Sequence, residues 1–300
     1  MRSVLVSCGA LAIAAGAAVA QPTLDGVVDT AFYGSPLAVQ DTPTGFGDSD
    51  SGAIDFANGS ELDAAYGRIL GDTLYITVTG NLEANFNKLE LFIDSIDGGQ
   101  NRLRGDNPDI DFNGLNRMGD DGSGNGLTFD DLIAPDFFVT FTGGDTGGGV
   151  YQTFANYAQL LTAGGGDGFF LGDGAAGTSV LVGSNGIQIA IDNSNTAGVT
   201  SVSGDGGELV ATGIELAIPL AAIGNPTGDI SVTAFVNAGG HDFLSNQVLG
   251  GVGGLGNLGE PRSVDFSAID GQQFFTVAIP SPSAASLMLI AGLAGWRRRR

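Results

Sequence analysis

The sequence predicts an all-β fold: an antiparallel β-sandwich, jelly-roll-like, with long Gly/Asp-rich loops, an N-terminal signal helix and a C-terminal hydrophobic helix. Three observations predict it. Apolar residues recur in short alternating or β-branched runs rather than at helical spacing. The 51 glycines gather between those runs, beside Asn and Asp, as turn residues do. Hydrophobic residues still make up 43% of the chain, which supports a packed core and excludes a disordered chain.

The runs that read as strands are residues 66–70, 73–79, 88–94, 137–142, 186–191, 214–218, 230–236 and 274–278. Gly71-Asp72 between the first two is a tight hairpin turn. In the second run Leu74, Ile76 and Val78 face one way and Thr or Tyr the other, as in a strand with one face in the core. Residues 151–161 and 220–223 read as short helical pieces. No collagen period, heptad or fixed-length repeat is present.

The chain ends carry the clearest signals. Arg2 precedes a small, apolar run over residues 4–19, and Ala18-Val19-Ala20 is an A-x-A-like cleavage site, so residues 1–20 read as a secretory signal peptide with Gln21 as the mature start. The run is shorter than the ~20 residues of a spanning helix. Cys8, the only cysteine, falls inside it, so the mature domain has no disulfide. At the other end, Pro280-Ser281-Pro282 breaks the chain before an apolar stretch from Ala284 to Trp296, and Arg297, Arg298, Arg299 and Arg300 close it. About 14 apolar residues at ~1.5 Å each reach roughly 20 Å, short for a span. The arginines hold that end on the cytoplasmic side.

The last 21 residues resemble the PEP-CTERM sorting signal of Gram-negative bacteria, here with Pro-Ser-Pro in place of Pro-Glu-Pro. The resemblance implies recognition by an exosortase after signal peptidase has acted, transient inner-membrane anchoring through the C-terminal helix, and delivery to the cell surface, the outer membrane or the extracellular space. The ends thus divide the chain into a signal peptide, a β-sandwich domain over residues 21–278, and a sorting signal over residues 279–300.

All 33 acidic residues and six of the 11 basic ones lie between the two signals, which leaves the mature protein a net charge near −27. Such a surface repels nucleic acid and anionic lipid and favours cations; high acidity is also what a salty habitat selects.

Leu24 to Asp29 ("LDGVVD"), Leu74 to Thr79 ("LYITVT") and Gly213 to Leu220 ("GIELAIPL") follow one another in the order seen in family 9 carbohydrate-binding modules and DOMON-like sandwiches, which the chain resembles from about Leu24 to Phe235. The resemblance implies an antiparallel sandwich, often with bound calcium and sometimes a sugar or haem ligand. The tryptophan common after the opening stretch is replaced here by Phe32 or Tyr33. The aromatic rings left as good sugar-stacking candidates are Tyr33, Tyr66, Tyr75, Tyr151 and Tyr157.

One run has metal-ligand spacing. Asp109, Asp111 and Asn113 alternate before Gly114, Leu115 offers a carbonyl, and Asp120 stands at the twelfth position, the pattern of a calcium loop. Pro108 and Gly119 break any flanking helix, so a Ca²⁺ loop grafted on a β-domain is expected, with a solvated acidic loop as the alternative. Asp94, Asp97, Asp106, Asp121, Asp130, Asp131 and Asp136 offer a second acidic group, against ordinary turn chemistry. Asp48 and Asp50 read as a turn, and so does the sequon at Asn58. Gly251-Val252-Gly253-Gly254-Leu255-Gly256 fits G-x-G-x-x-G, but no helix pattern follows it and it reads as a flexible loop. His241, the only histidine, reads as a polar loop residue; haem ligation and Ser-His-Asp chemistry both lack support. The function expected is an exported surface or matrix protein without catalytic activity, stabilised by Ca²⁺. The alternatives are a module tethering the cell to polysaccharide, and a polysaccharide hydrolase working through an unmarked carboxylate pair.

Overall fold

A computed structural model describes residues 20–46, 59–175, 180–201 and 206–280. The signal peptide with Ala18, the sequon Asn58, Asp48 and Asp50, and the sorting signal from Ser281 onward lie outside them; Ala20 and Pro280 are exposed at the margins. Among the described residues no helix is long and apolar enough to cross a membrane.

The described chain is almost entirely β, in two antiparallel sheets. The first has the order β1 (Ala38–Val39), β2 (Glu61–Leu70), β3 (Thr73–Asn81), β10 (Gly213–Pro219), β9 (Gln188–Ile191), β8 (Leu181–Val182). The second runs β12 (Leu244–Val248), β11 (Ile230–Asn237), β4 (Asn85–Asp94), β5 (Phe137–Asp145), β6 (Tyr151–Gln159), β7 (Gly168–Ala175), with β13 (Phe275–Val277) also on β11. The sheets share one core. Leu74, Ile76 and Val78 of β3 and Ile214, Leu216 and Ile218 of β10 meet Leu89, Leu91 and Ile93 of β4 and Val232, Ala234 and Val236 of β11. The period-2 alternation of these runs puts every second side chain into that layer.

Both sheets are also covered outside, which one-faced alternation does not foretell. On β3 the opposite face, Tyr75, Thr77 and Thr79, is buried as well. Residues of the N-terminal segment, Val28, Phe32 and Tyr33, pack there against Tyr66 and Tyr75. Asp29 caps the single helical turn that carries them, α1 (Thr30–Tyr33), by accepting from the amides of Ala31 and Phe32. The stretches Leu24 to Asp29, Leu74 to Thr79 and Gly213 to Leu220 are neighbours in space. The β3 and β10 stretches pair along seven residues. The backbone amides of Asp25 and Gly26 donate to the buried Glu215 of β10, as does the Tyr33 hydroxyl at 2.8 Å. A methyl on Gly26 would stand 2.2 Å from the Asp192 amide, so only glycine admits this approach.

The outer face of the second sheet divides in two. At one end Phe92, Phe138 and Phe235 are sealed by a third layer from residues 95–136 and 249–274, including Leu103, Leu127, Phe129, Val264 and Phe266. At the other end the layer stops and the sheet faces a groove.

The expected helix at residues 151–161 is instead strand β6. Its nine-residue register with β5, and Ala155 and Tyr157 turned into the core, override the helix propensity of its alanines and glutamines. Leu220–Ile223 is a 3₁₀ turn, as the short helical reading had it. Strands β1, β7, β8 and β12 were not foreseen.

Candidate functional site

The chain's single lysine and single histidine meet at one carboxylate. Lys88 and Glu90 lie two apart on β4, so both point to the outer face of the second sheet. The loop joining β11 to β12 folds over β4 and brings His241; the long excursion between β4 and β5 brings Asp111. Lys88 Nζ donates to Asp111 Oδ2 at 2.6 Å. His241 Nδ1 bonds Glu90 Oε1 at 2.6 Å, and its Nε2 stands 3.2 Å from Asp111 Oδ2, an ion-pair distance without hydrogen-bond alignment. All four side chains are buried. Burial opposes a charge on His241, but Glu90 and Asp111 outweigh it and lift its pKa to about 9. Burial likewise opposes the Asp111 carboxylate, yet His241 and Lys88 hold its pKa near 2. At neutral pH His241 is therefore a cation and Asp111 an anion. His241 is on a loop, as expected of a polar loop residue, and its ring is fully buried.

Above Lys88 and Asp111 opens a groove of about 660 Å³, lined by Asn85, Phe86, Phe112, Thr142, Phe154, Asn156, Phe170 and the glycines 239 and 240. Its backbone is strained. Among the described residues five non-glycine residues have positive φ, and three of them, Phe86, Asp111 and His241, lie at this groove or in the quartet beneath it. Each such residue costs on the order of 1 kcal/mol or more, and such strain concentrates at functional sites. Two β-bulges flank the groove. Between β4 and β5 one sets residues 85–88 against 142–144, and turns both Asn85 and Phe86 toward the groove. The Thr142 hydroxyl, bonded to the carbonyls of Phe86 and Asn87, pins it. The other, between β6 and β7, sets Phe170 opposite Asn156.

Gly144 makes room for the Phe86 ring; a methyl there would stand 2.8 Å from its edge. Gly144→Ala is expected to cost about 1–2 kcal/mol by overpacking, read as a lower urea midpoint with an unchanged slope. A loss below 0.5 kcal/mol would mean that Phe86 moves freely.

The five residues expected to hold calcium have the following partners and surroundings. Asp111 is committed to Lys88, His241 and the Phe112 amide. Asp120 Oδ1 caps the amides of Gly122 and Gly124. Asp109 flanks Gly114, Asn113 approaches Gly240, and Leu115 is buried in the third layer. Among the described residues no group of three or more His, Cys, Asp or Glu side chains is placed to hold a metal ion. The second acidic group is divided, with Asp94 and Asp97 near Asp136 and the rest elsewhere. Asp94 and Asp136 accept backbone amides, Asp106 pairs with Arg104, and Asp130 accepts from Gln273. Asp121 caps the Ser123 amide, Asp131 is exposed, and Asp97 lines a separate cavity of about 460 Å³. The G-x-G-x-x-G stretch is a loop held by Asp41 through the amides of Val252 and Gly253. The tyrosines are not free to stack on a sugar: Tyr33, Tyr66, Tyr75 and Tyr157 are buried, and Tyr151 is half-buried against the core.

Sequence reasoning missed the groove. Its signal was the chain's one lysine two residues before a glutamate within a strand, which places both side chains on one sheet face.

Comparison with protein-family models, curated proteins and solved structures finds no match for this chain.

Proposed function

We propose that this chain is an exported, non-catalytic protein of the cell surface or extracellular matrix that binds a ligand in the groove on its second sheet. The binding half is carried by one observation: three of the five left-handed non-glycine residues among those described gather at a single aromatic-lined groove and the Lys88, Glu90, Asp111 and His241 quartet beneath it. The export half is supported by the end segments, Ala18-Val19-Ala20 behind an apolar run and Pro280-Ser281-Pro282 before an apolar run with four arginines. Kinship with family 9 modules and a jelly-roll topology belong to the same proposal, supported by the adjacency of the three shared stretches. The tethering reading attaches to the same groove, through its rings.

Intact-mass analysis of surface-released protein tests the export half. A mature N-terminus at Gln21 and loss of the chain beyond the Pro280–Pro282 region are expected. Deleting Arg297 through Arg300 should leave a membrane-held form that retains the apolar tail. Full-length protein recovered from the cytosol would remove this half of the proposal.

A further inference from the structure

We infer that the groove takes a small, uncharged arene carrying one hydrogen-bonding group, rather than the face of a saccharide. This deepens the binding proposal above and rests on it.

The cavity, about 660 Å³, has the size of a small-molecule site. Its walls are rings. Phe86 and Phe154 lie 6.4 Å apart between centroids, tilted 44°. Phe112 is 69% exposed and Phe170 51%, an unusual exposure for two phenylalanines at one groove. Phenylalanine offers a ring ligand edge-to-face or offset contact and no hydrogen bond of its own.

The polar groups of the lining are mostly committed within the protein. Thr142 donates to two carbonyls, Lys88 donates to Asp111, and Asp111 also accepts from the Phe112 amide. Asn85 Oδ1 accepts from the Asn87 amide. One group remains. Asn156 is 96% buried, since only 4% of it is exposed, and it lines the groove; no hydrogen bond is found for its side chain among the described residues. A pyranose brings several hydroxyls, and each one desolvated without a partner costs roughly 1–3 kcal/mol. A single uncommitted amide satisfies one or two such groups, not four.

Charge points the same way. The mature chain is near −27, which repels an anion. The one carboxylate in the lining, Asp111, is already held between two cations, so a cationic ligand finds no free counter-charge. What the groove accepts is an apolar ring with one donor or acceptor directed at Asn156.

Calorimetric titration of the protein with 2-naphthol, 2-naphthoate and a soluble β-glucan hexasaccharide tests this. 2-Naphthol is expected to bind one-to-one with a submillimolar dissociation constant, and 2-naphthoate at least tenfold more weakly. The hexasaccharide should give no heat. Asn156→Leu and Phe112→Ala should each weaken 2-naphthol at least fivefold. Phe112→Ala is the folding control, because that ring is already exposed, and both variants should keep the parent circular dichroism. Saccharide binding that depends on Asn156, without 2-naphthol binding, would overturn the ligand class and leave the groove as the site. Binding of 2-naphthol unchanged by both variants would place it elsewhere and overturn the inference. No binding by any of the three would remove the inference and the groove reading together.

Discussion

Asp111→Ala is expected to destabilise the protein by about 3–5 kcal/mol. The substitution leaves Lys88 and His241 buried with a single carboxylate, Glu90, between them, and removing one partner of a buried ion pair costs that much. For a domain of this size the melting temperature should fall by roughly 10 °C. The double variant Asp111→Leu/Lys88→Met should recover much of the loss, because replacing a buried pair by apolar residues of similar volume is often neutral. The same measurement separates this account from a calcium loop. If Asp111 acts through Lys88 and His241, parent protein melts alike in calcium and in chelator. If it acts through calcium, chelator reproduces the loss in the parent. A loss under 1 kcal/mol in Asp111→Ala would mean that the quartet does not hold the excursion down.

The second large effect is alkaline. His241 has a folded-state pKa raised from the ordinary 6.5 to about 9. Its contribution is fully present below pH 6.5 and is lost as pH rises through 9. The side chain is fully buried, so the loss amounts to about 3 kcal/mol. Asp111 acts at the other end: its depressed pKa gives stability above about pH 4 that disappears as pH falls toward 2. Asp63, whose carboxyl burial pushes upward, also sheds stability with rising pH. His241→Gln isolates the histidine. Urea unfolding at pH 6.5 and pH 10 should show a fall in the parent that is about 3 kcal/mol larger than in the variant. Equal falls would reassign the alkaline lability to Asp63 and its surroundings.

How much of this was legible beforehand depends on how local the determinants are. β3 and β10 were readable because Leu74, Ile76, Val78 and Ile214, Leu216, Ile218 alternate without interruption. β7 was hidden by its glycines: Gly168, Gly172 and Gly174 dilute the apolar pattern, and its place in the sheet comes from the partner strand. β6 was misread because Ala155, Ala158 and Gln159 favour helix locally while the register with β5 is a tertiary fact. The D-x-D-x-N-G spacing of residues 109–114 was real, but a motif cannot show that its second carboxylate is claimed by a lysine 23 positions earlier and a histidine far downstream. The quartet needs three segments distant in sequence, with Glu90 and His241 separated by 151 positions. No window of the sequence contains it. The rings of the groove were in view throughout, yet tyrosine drew attention because of its hydroxyl, and here that hydroxyl ties two of the buried rings to their own protein, Tyr33 to Glu215 and Tyr157 to Ala222.

The burial of Lys88 has a chemical consequence for the outside of the molecule. The chain has no other lysine, so the folded surface presents no side-chain amine. Lysine-directed glycation, aldehyde cross-linking and isopeptide attachment find no side chain there to react with.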